Sequence, residues 1–160
     1  SAASDVYKRQ IQLTKKEVLD TDRYSKIDIV DALACAGNGI ENSPEAVIGR
    51  YLVPLDFLRT LTATAPENIK ILKVSGDSME PSIYNGDIIW VDISVKTPDG
   101  DGLFLIKIVN GLFVRRIQFN FLDGTARIVP DNPKYREITS SDGKEIAVVG
   151  KVICVNKMFV

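Results

Sequence analysis

The feature that most limits the fold is a series of short apolar runs, each ended by turn-forming residues, which begins at Ile27. Runs of this length, rich in Val, Ile and Phe, are typical of β-strands. The predicted strands are 69–74, 87–93, 103–109, 112–119, 126–129 and 146–155. The pattern therefore predicts a mostly β domain.

The dipeptide Asn110-Gly111 lies between two of these runs. A two-residue type I′ turn needs positive φ at both central positions, and Asn-Gly meets that need best. We therefore predict a hairpin in which Asn110 and Gly111 form the turn and Ile106 pairs with Arg115. Asp123-Gly124 and Asp142-Gly143 predict further turns. Leu55–Leu61, which follows Pro54, is predicted to be the only helix longer than one turn.

Residues 1–26 are charged and weakly patterned, which predicts a linker or flexible tail, whereas residues 27–160 can form one globular domain. Twenty basic and twenty-one acidic residues leave a formal net charge of −1. Because nearly balanced charge gives no broad attraction to phosphates, we do not expect this domain alone to bind nucleic acid or an anionic membrane.

The absence of histidine removes the commonest general base and metal ligand, and with it Ser-His-Asp, Cys-His and most zinc chemistry. Cys35 and Cys154 are far apart in sequence, so we expect two reduced thiols rather than a disulfide or metal site. No metal or cofactor is predicted. No apolar run approaches the roughly 18 residues of a membrane span, so we expect no membrane partner and a cytoplasmic protein.

A small-residue turn follows the first predicted strand of this series and contains Ser78, Met79 and Pro81. The pair Gly86-Asp87 then opens the next strand. This arrangement resembles the LexA and phage-repressor autopeptidases, including their UmuD relatives. In that family the serine of a Ser-Met-x-Pro turn is the nucleophile. The resemblance implies the LexA-type fold of twisted antiparallel sheets with one or two short helices.

Relatives in this family carry a scissile Ala-Gly or Cys-Gly bond upstream of the nucleophile. The corresponding segment here is Ala34-Cys35-Ala36-Gly37-Asn38-Gly39, so the resemblance places the cleavage site at Ala36-Gly37. Small residues let a chain enter a narrow cleft and approach a nucleophile closely. Without the downstream serine, the same segment would be interpreted as an ordinary flexible glycine loop.

The family's catalytic lysine lies on the returning strand of a hairpin after the serine. The matching residues here are Val114, Arg115, Arg116 and Ile117, so Arg115 occupies the lysine position. Two further segments, 129–135 and 148–152, resemble the end of phage repressors. The resemblance therefore covers about 27–160.

An arginine at that position changes the chemistry. A Ser-Lys dyad works only if the amine can be neutral when it removes the hydroxyl proton, whereas a guanidinium stays protonated and has no acceptor lone pair. Lys107 cannot replace it, because alternation along the predicted hairpin points Lys107 away from the face of Arg115. Self-cleavage is therefore predicted to be absent or severely slowed.

Other candidate residues have simpler interpretations. We interpret Asp77, Glu80 and Asp87 as turn and strand-opening residues rather than acid/base pairs. The Arg115-Arg116 pair is too small for a nucleic-acid patch, and Cys35 is expected to be a buried thiol. The aromatic residues in the strand runs are expected in the core or at a subunit contact: Tyr84, Trp90, Phe104, Phe113 and Phe119.

The resemblance implies the C-terminal regulatory and dimerisation domain of a transcriptional repressor, acting as a homodimer. DNA would be bound only by an N-terminal helix-turn-helix domain outside this sequence, and a RecA-type filament (as in the SOS response) or an antirepressor protein could act on it. Three alternatives stay open. They are a UmuD-like DNA-polymerase accessory protein, an active autopeptidase trapped by an engineered Lys-to-Arg change, and a signal-peptidase relative, which the lack of a membrane anchor disfavours.

Overall fold

The computed structural model describes residues 1–6, 8, 21–41, 43–138 and 146–159. The strands are β1 (Tyr24–Val30), β2 (Val47–Pro54), β3 (Ile69–Lys73), β4 (Ile88–Asp92), β5 (Gly102–Ile108), β6 (Gly111–Asn120), β7 (Thr125–Val129) and β8 (Ile146–Asn156). Two short helices pack against the sheet, α1 (Ala32–Asn38) against β6 and α2 (Leu55–Leu61) against β1 and β2. The predicted turn at Asp142-Gly143 and half of the charged N-terminal segment 1–26 lie outside the described residues.

The eight strands form one sheet in the order β2-β1-β3-β4-β8-β5-β6-β7. Every neighbouring pair is antiparallel except β1 and β3, which are parallel. The expectation of a mostly β fold with short helices is confirmed, as are all six predicted strands to within a residue or two. Strands β1 and β2 were not predicted, and β1 begins inside the segment expected to be a tail.

The core consists of three clusters of apolar side chains. One cluster packs Cys35 of α1 against Met79 and Val114. A second surrounds Leu58 of α2 and Trp90. The third lies on the β5–β6–β7 part of the sheet: Phe104, Ile106, Ile117 and Ile128. The first cluster matters most for function, because it joins α1, the loop after β3 and strand β6.

The aromatic residues expected in the core or at a subunit contact differ in burial, and Phe119 is half-buried. Trp90 and Phe104 are buried, as predicted. Tyr84 and Phe113 are instead exposed by more than a third, and both lie beside charged groups: Lys157 over the Tyr84 ring and Arg115 over the Phe113 ring. Their rings therefore cover charged side chains rather than fill the interior.

The β5–β6 hairpin exists, but its predicted turn is wrong by one residue. Ile108 pairs with Gly111, so Val109 and Asn110 form the two-residue connection, and Val109 has a φ of 54°. Arg115 consequently pairs with Phe104 rather than Ile106. The pairing partner of each residue thus changes by two positions. Because side chains alternate between the faces of a sheet, every side chain keeps its predicted face.

The segment around Ala36 is helical, which corrects the expectation of a single helix longer than one turn. Asp31 caps α1, its carboxylate accepting from the backbone N–H of Leu33 at 2.8 Å and of Ala34 at 3.3 Å. Gly39 follows the helix with a φ of 84°. An acidic N-cap and a glycine C-cap are strong helix-end signals.

Gly150 in β8 tests the packing between central strands. A Cβ atom there would lie 2.5 Å from Val91 Cγ1 and 2.6 Å from the Asp92 carbonyl oxygen. We expect Gly150→Ala to lower the free energy of unfolding by about 2 kcal/mol, because overpacking shifts the backbone. Urea denaturation measures it.

The matched control is Gly49→Ala in β2, where a Cβ atom would meet only Ile29 Cδ1 at 3.7 Å. We expect a change within about 0.5 kcal/mol there. Equal losses for the two variants would contradict the packing described for β8.

Candidate active site

The loop between β3 and β4 carries Ser78. Its base is closed by two backbone hydrogen bonds, from Val74 N–H to the Asp87 carbonyl and from Gly86 N–H to the Val74 carbonyl, both at 2.8 Å. The positive φ values of Gly76 and Gly86, 92° and 90°, provide the sharp bends at each side. These hydrogen bonds and bends fix the backbone at both ends of the Ser78 loop.

Within this loop Met79 is buried in the core, and its carbonyl accepts from the N–H groups of Ser82 and Ile83, both at 2.9 Å. Pro81 follows Glu80 through a cis peptide bond. The buried methionine fixes the turn, and Ser78 beside it is left half-buried at the surface. The motif residues predicted from sequence thus lie together in one loop.

Arg115 of β6 meets Ser78. Its Nη1 atom donates to Ser78 Oγ at 2.7 Å and to its neighbour's carbonyl, that of Val114, also at 2.7 Å. The Arg115 side chain is only 8% exposed, and the Phe113 ring lies 5.3 Å from its guanidinium carbon. The sequence reasoning placed these two residues at one site, and the geometry brings them into contact.

The protonation state of Arg115 decides what this contact can do. Burial lowers the pKa of the Arg115 guanidinium from its usual value, because desolvation penalises the charged form. The usual value is so high that the group remains a cation at neutral pH. Arg115 can therefore donate to Ser78 Oγ but cannot take its proton.

Lys107, the other basic residue considered for this role, pairs with Leu112 across the hairpin. Arg115 pairs with Phe104, so the two basic side chains leave opposite faces of the sheet. Among the hydrogen bonds of the described residues, no lysine donates to Ser78 Oγ.

The segment after β7, Pro130–Tyr135, holds the Ser78 loop from one side, and we refer to it as the clamp segment. Asn132 is 7% exposed; its N–H donates to the Ser78 carbonyl at 3.0 Å and its Nδ2 to the Asp77 carbonyl at 2.9 Å. The Tyr135 hydroxyl donates to Asp77 Oδ1, which raises the pKa of Tyr135. These contacts fix the backbone on both sides of the Ser78 side chain.

An ion pair ties the clamp segment to β6. Arg116 donates from Nε and Nη2 to the two carboxylate oxygens of Asp131, at 2.8 Å each. This hydrogen-bonded pair raises the pKa of Arg116 and lowers that of Asp131. Arg115 therefore contacts Ser78 directly, whereas Arg116 holds the clamp segment, which in turn contacts the Ser78 loop.

Asp87 fastens the other side of the loop to the end of the chain. Its carboxylate, 1% exposed, accepts from the N–H groups of Tyr84 at 2.9 Å and Met158 at 3.0 Å. The Lys157 ammonium lies 3.0 Å from Asp87 Oδ2 and also donates to the Ser82 carbonyl. Asp87 is thus a buried junction, which is more than the strand-opening role expected of it.

The predicted cleavage site lies in α1. Ala36 is buried on the core side of α1, Gly37 is exposed, and α1 lies against β6. No hydrogen bond of the described residues joins Ala36 or Gly37 to Ser78. A peptide bond inside a helix cannot present its carbonyl carbon to a nucleophile at the distance of about 3–3.5 Å that reaction requires.

Comparison with known proteins agrees with this geometry. Residues 28–153 match the model of the family described as Peptidase S24-like. The chain belongs to the Peptidase S24-like family.

Two relatives of this Peptidase S24-like chain are regulators of transcription by name. It is 30% identical over 146 residues to the "26 kDa repressor protein" of Escherichia phage HK022. That alignment covers 88% of this chain and 61% of the relative. It is 26% identical over 155 residues to an "Uncharacterized HTH-type transcriptional regulator" of Haemophilus influenzae, covering 96% of this chain and 62% of the relative. The chain thus spans less than two thirds of either relative.

Sequence reasoning missed several residues of this Peptidase S24-like site. Contacts of Asp77, Asn132 and Tyr135 hold the Ser78 loop, and the polar stretch between Pro130 and Pro133 was an available signal only for Asn132. Lys157 gave no signal, because a lone lysine near the end of a strand is usually solvated. Among the described residues, no helix is long and apolar enough to cross a membrane.

The junction at Asp87 makes stability depend on pH. The N–H groups of Met158 and Tyr84, and then the Lys157 ammonium, hold the pKa of Asp87 below its usual value. The folded state lowers this pKa, so the stabilisation is complete above the unfolded value of about 4 and is lost as pH falls through the lowered value. We expect Asp87→Asn to cost about 2 kcal/mol at neutral pH, and the difference from wild type to shrink near pH 3.

Urea denaturation across this pH range measures the difference. Glu67→Gln, which removes an exposed carboxylate, is the control and should leave the unfolding free energy nearly unchanged at every pH. If the Asp87→Asn difference were as large in acid as at neutral pH, the ionised carboxylate would not be the stabilising form.

Proposed function

We propose that this Peptidase S24-like domain is the C-terminal regulatory and dimerisation domain of a LexA-like transcriptional repressor in which self-cleavage at Ala36-Gly37 is absent or severely slowed. The observation that carries the proposal is the 2.7 Å hydrogen bond from Arg115 Nη1 to Ser78 Oγ. The family supplies the serine and the lysine position. The difference from an active relative is that Arg115, rather than a lysine, occupies that position.

The chemical step that fails is activation of the serine. Attack on a peptide carbonyl requires removal of the Ser78 hydroxyl proton, and a neutral amine would accept it in an active relative. The Arg115 guanidinium has no lone pair to offer, and it already uses Ser78 Oγ as an acceptor. The hydroxyl is positioned for chemistry and lacks a base.

The position of the proposed scissile bond is a second obstacle. Cleavage requires α1 to unwind, which removes the Asp31 cap and the burial of Cys35 and Ala36. Loss of a cap alone costs about 1 kcal/mol. A signal that exposes this segment would therefore have to supply the unfolding energy of α1 as well.

The proposed biological role follows from the two regulators that this chain resembles. Pairing of two copies would hold two N-terminal helix-turn-helix domains at the spacing of a two-fold DNA site. Contact with the second half-site then becomes effectively intramolecular, so DNA affinity depends on dimerisation. With no base beside Ser78, release from DNA would depend on a protein that binds this cytoplasmic domain, such as an antirepressor, more than on a RecA-type filament.

Two alternatives make different predictions. A UmuD-like polymerase accessory protein would have no helix-turn-helix domain in the complete gene product. An engineered change of Lys to Arg would mean that the parent protein is an active autopeptidase. The regulator names of both relatives favour the repressor over the accessory protein.

The cleavage proposal is tested by intact-mass measurement after incubation at mildly alkaline pH, with and without activated RecA-type filament. We expect the wild-type chain to stay whole. Arg115→Lys should be cut between Ala36 and Gly37 at least about a hundredfold faster, because a general base contributes a factor of that order. The double variant Ser78→Ala/Arg115→Lys is the matched control and should not be cut.

Efficient cleavage of the wild-type chain at this bond would contradict the proposal. Continued inertness of a folded Arg115→Lys variant would show that residue 115 is not the dyad position.

Dimerisation is tested separately by sedimentation equilibrium. We expect this 17.7 kDa chain to show a mass that rises toward the dimer value over micromolar concentrations. A mass that stays at the monomer value throughout would contradict the dimerisation role and leave the cleavage proposal unaffected.

A further inference from the structure

Arg115 is a buried cation that contacts no carboxylate of the described residues. Its contacts are a hydroxyl, a backbone carbonyl and an aromatic ring. Arg116 and Arg127, by contrast, each hold a carboxylate, although both are more exposed than Arg115. Leaving a buried charge without an opposite charge costs several kcal/mol, so the most buried of the three arginines is the one that most needs an anion.

The guanidinium edge formed by Nε and Nη2 shows what kind of anion would fit. Arg116 uses this edge for the two oxygens of Asp131, at 2.8 Å each. Arg127 uses it for the two oxygens of Glu137, at 2.6 and 2.8 Å. In Arg115 the Nε atom is buried and has no hydrogen-bond partner. The guanidinium edge that binds a carboxylate in Arg116 and in Arg127 therefore binds none of the described carboxylates in Arg115.

Ser78 lies on the other side of the guanidinium, at Nη1. Its oxygen accepts from Arg115 Nη1, so the hydroxyl proton points away from the guanidinium. Among the described residues, none accepts a hydrogen bond from the Ser78 hydroxyl. Ser78 as a whole is half-buried.

We propose that the Nε–Nη2 edge of Arg115 forms a binding site for a carboxylate. One carboxylate oxygen accepts from Arg115 Nε and the other from Arg115 Nη2, as in the Arg116 and Arg127 pairs. The Phe113 ring, 39% exposed and lying over the guanidinium, is the side chain that moves to admit the ligand. A planar carboxylate suits the fork of donors better than a spherical anion does, because two parallel hydrogen bonds form.

Such a carboxylate has two sources, a free small acid or the C-terminus of a peptide. The site does not depend on the repressor role, because it rests only on the contacts of Arg115 and Ser78. If no carboxylate binds, the proposals on cleavage and dimerisation are unaffected.

The direct probe is the Arg115 Nε–H group, observed in a ¹H–¹⁵N spectrum of the wild-type protein and assigned by its loss in Arg115→Lys. Formate is titrated at constant ionic strength, with sodium chloride as the balancing salt. We expect the Arg115 signal to shift and saturate with formate, while the Nε–H signals of Arg116 and Arg127 stay in place because Asp131 and Glu137 already occupy them.

A second arm uses the peptide Leu-Ala-Cys-Ala with a free C-terminal carboxylate and the same peptide as a C-terminal amide. Saturable shifts with the acid and none with the amide identify a peptide terminus as a ligand, whereas shifts with formate alone identify a free small acid.

Variants provide an independent readout by thermal denaturation. We expect Arg115→Lys, which keeps the charge and loses the Nε edge, to weaken formate binding at least tenfold. Arg127→Gln, which removes an exposed arginine on the next strand, should leave binding unchanged. The proposal is overturned if the wild-type Arg115 signal moves with neither formate nor the peptide acid, or if the amide shifts it as strongly as the acid.

Discussion

The hydrogen bond between Arg115 and Ser78 joins parts of the sheet that are not neighbours. Strands β4, β8 and β5 lie between β3, which leads into the Ser78 loop, and β6, which carries Arg115. Two of these strand pairs have register shifts, at Trp90/Val91 and at Leu105/Ile106. Irregularities of this kind bend a sheet and increase its twist. Both irregularities lie in the strands between the Ser78 loop and Arg115.

The loop is then held from two sides by groups with no role in peptide chemistry. Asn132 and Tyr135 bind it from the clamp segment, and Asp87 binds it to the chain end through Lys157 and Met158. A serine fixed this well usually indicates a catalytic centre, since rigid support is what positions a nucleophile. Here the support is intact and the basic residue that meets Ser78 is an arginine, which is the observation behind the proposal of a regulatory domain without self-cleavage.

The pairing of Ser78 with Arg115 was predicted from the family resemblance, because the two residues are 37 positions apart, whereas local rules predicted the turns and strands that carry them. The loop from Ser78 to Asp87 has its own turn residues, and the β5–β6 hairpin places Arg115 by pairing alone. The turn of that hairpin was misplaced because Asn-Gly is the better turn sequence and a β-branched residue rarely adopts positive φ. The structure instead puts Val109 there at 54°, and Gly111 takes a strand position where a Cβ atom would lie 2.5 Å from the Phe113 ring.

Other elements needed tertiary information. Strand β2 lies at the edge of the sheet and contains Gly49 and Pro54, so its burial pattern does not alternate cleanly. The α1 segment looked like a loop because glycine and asparagine follow Ala36, although the Asp31 cap was a usable signal. The clamp contacts join residues more than fifty positions apart, a separation that no local pattern encodes.

The central claim is that the Ser78 hydroxyl has no base, and its intrinsic reactivity tests that claim without requiring α1 to unwind. An organophosphorus serine reagent reaches the hydroxyl directly, and intact mass followed by peptide mapping reports the adduct. The account predicts no adduct at Ser78 at neutral or mildly alkaline pH, with Arg115→Lys labelled at that residue under the same conditions. Stoichiometric labelling of Ser78 in the wild-type protein would contradict it.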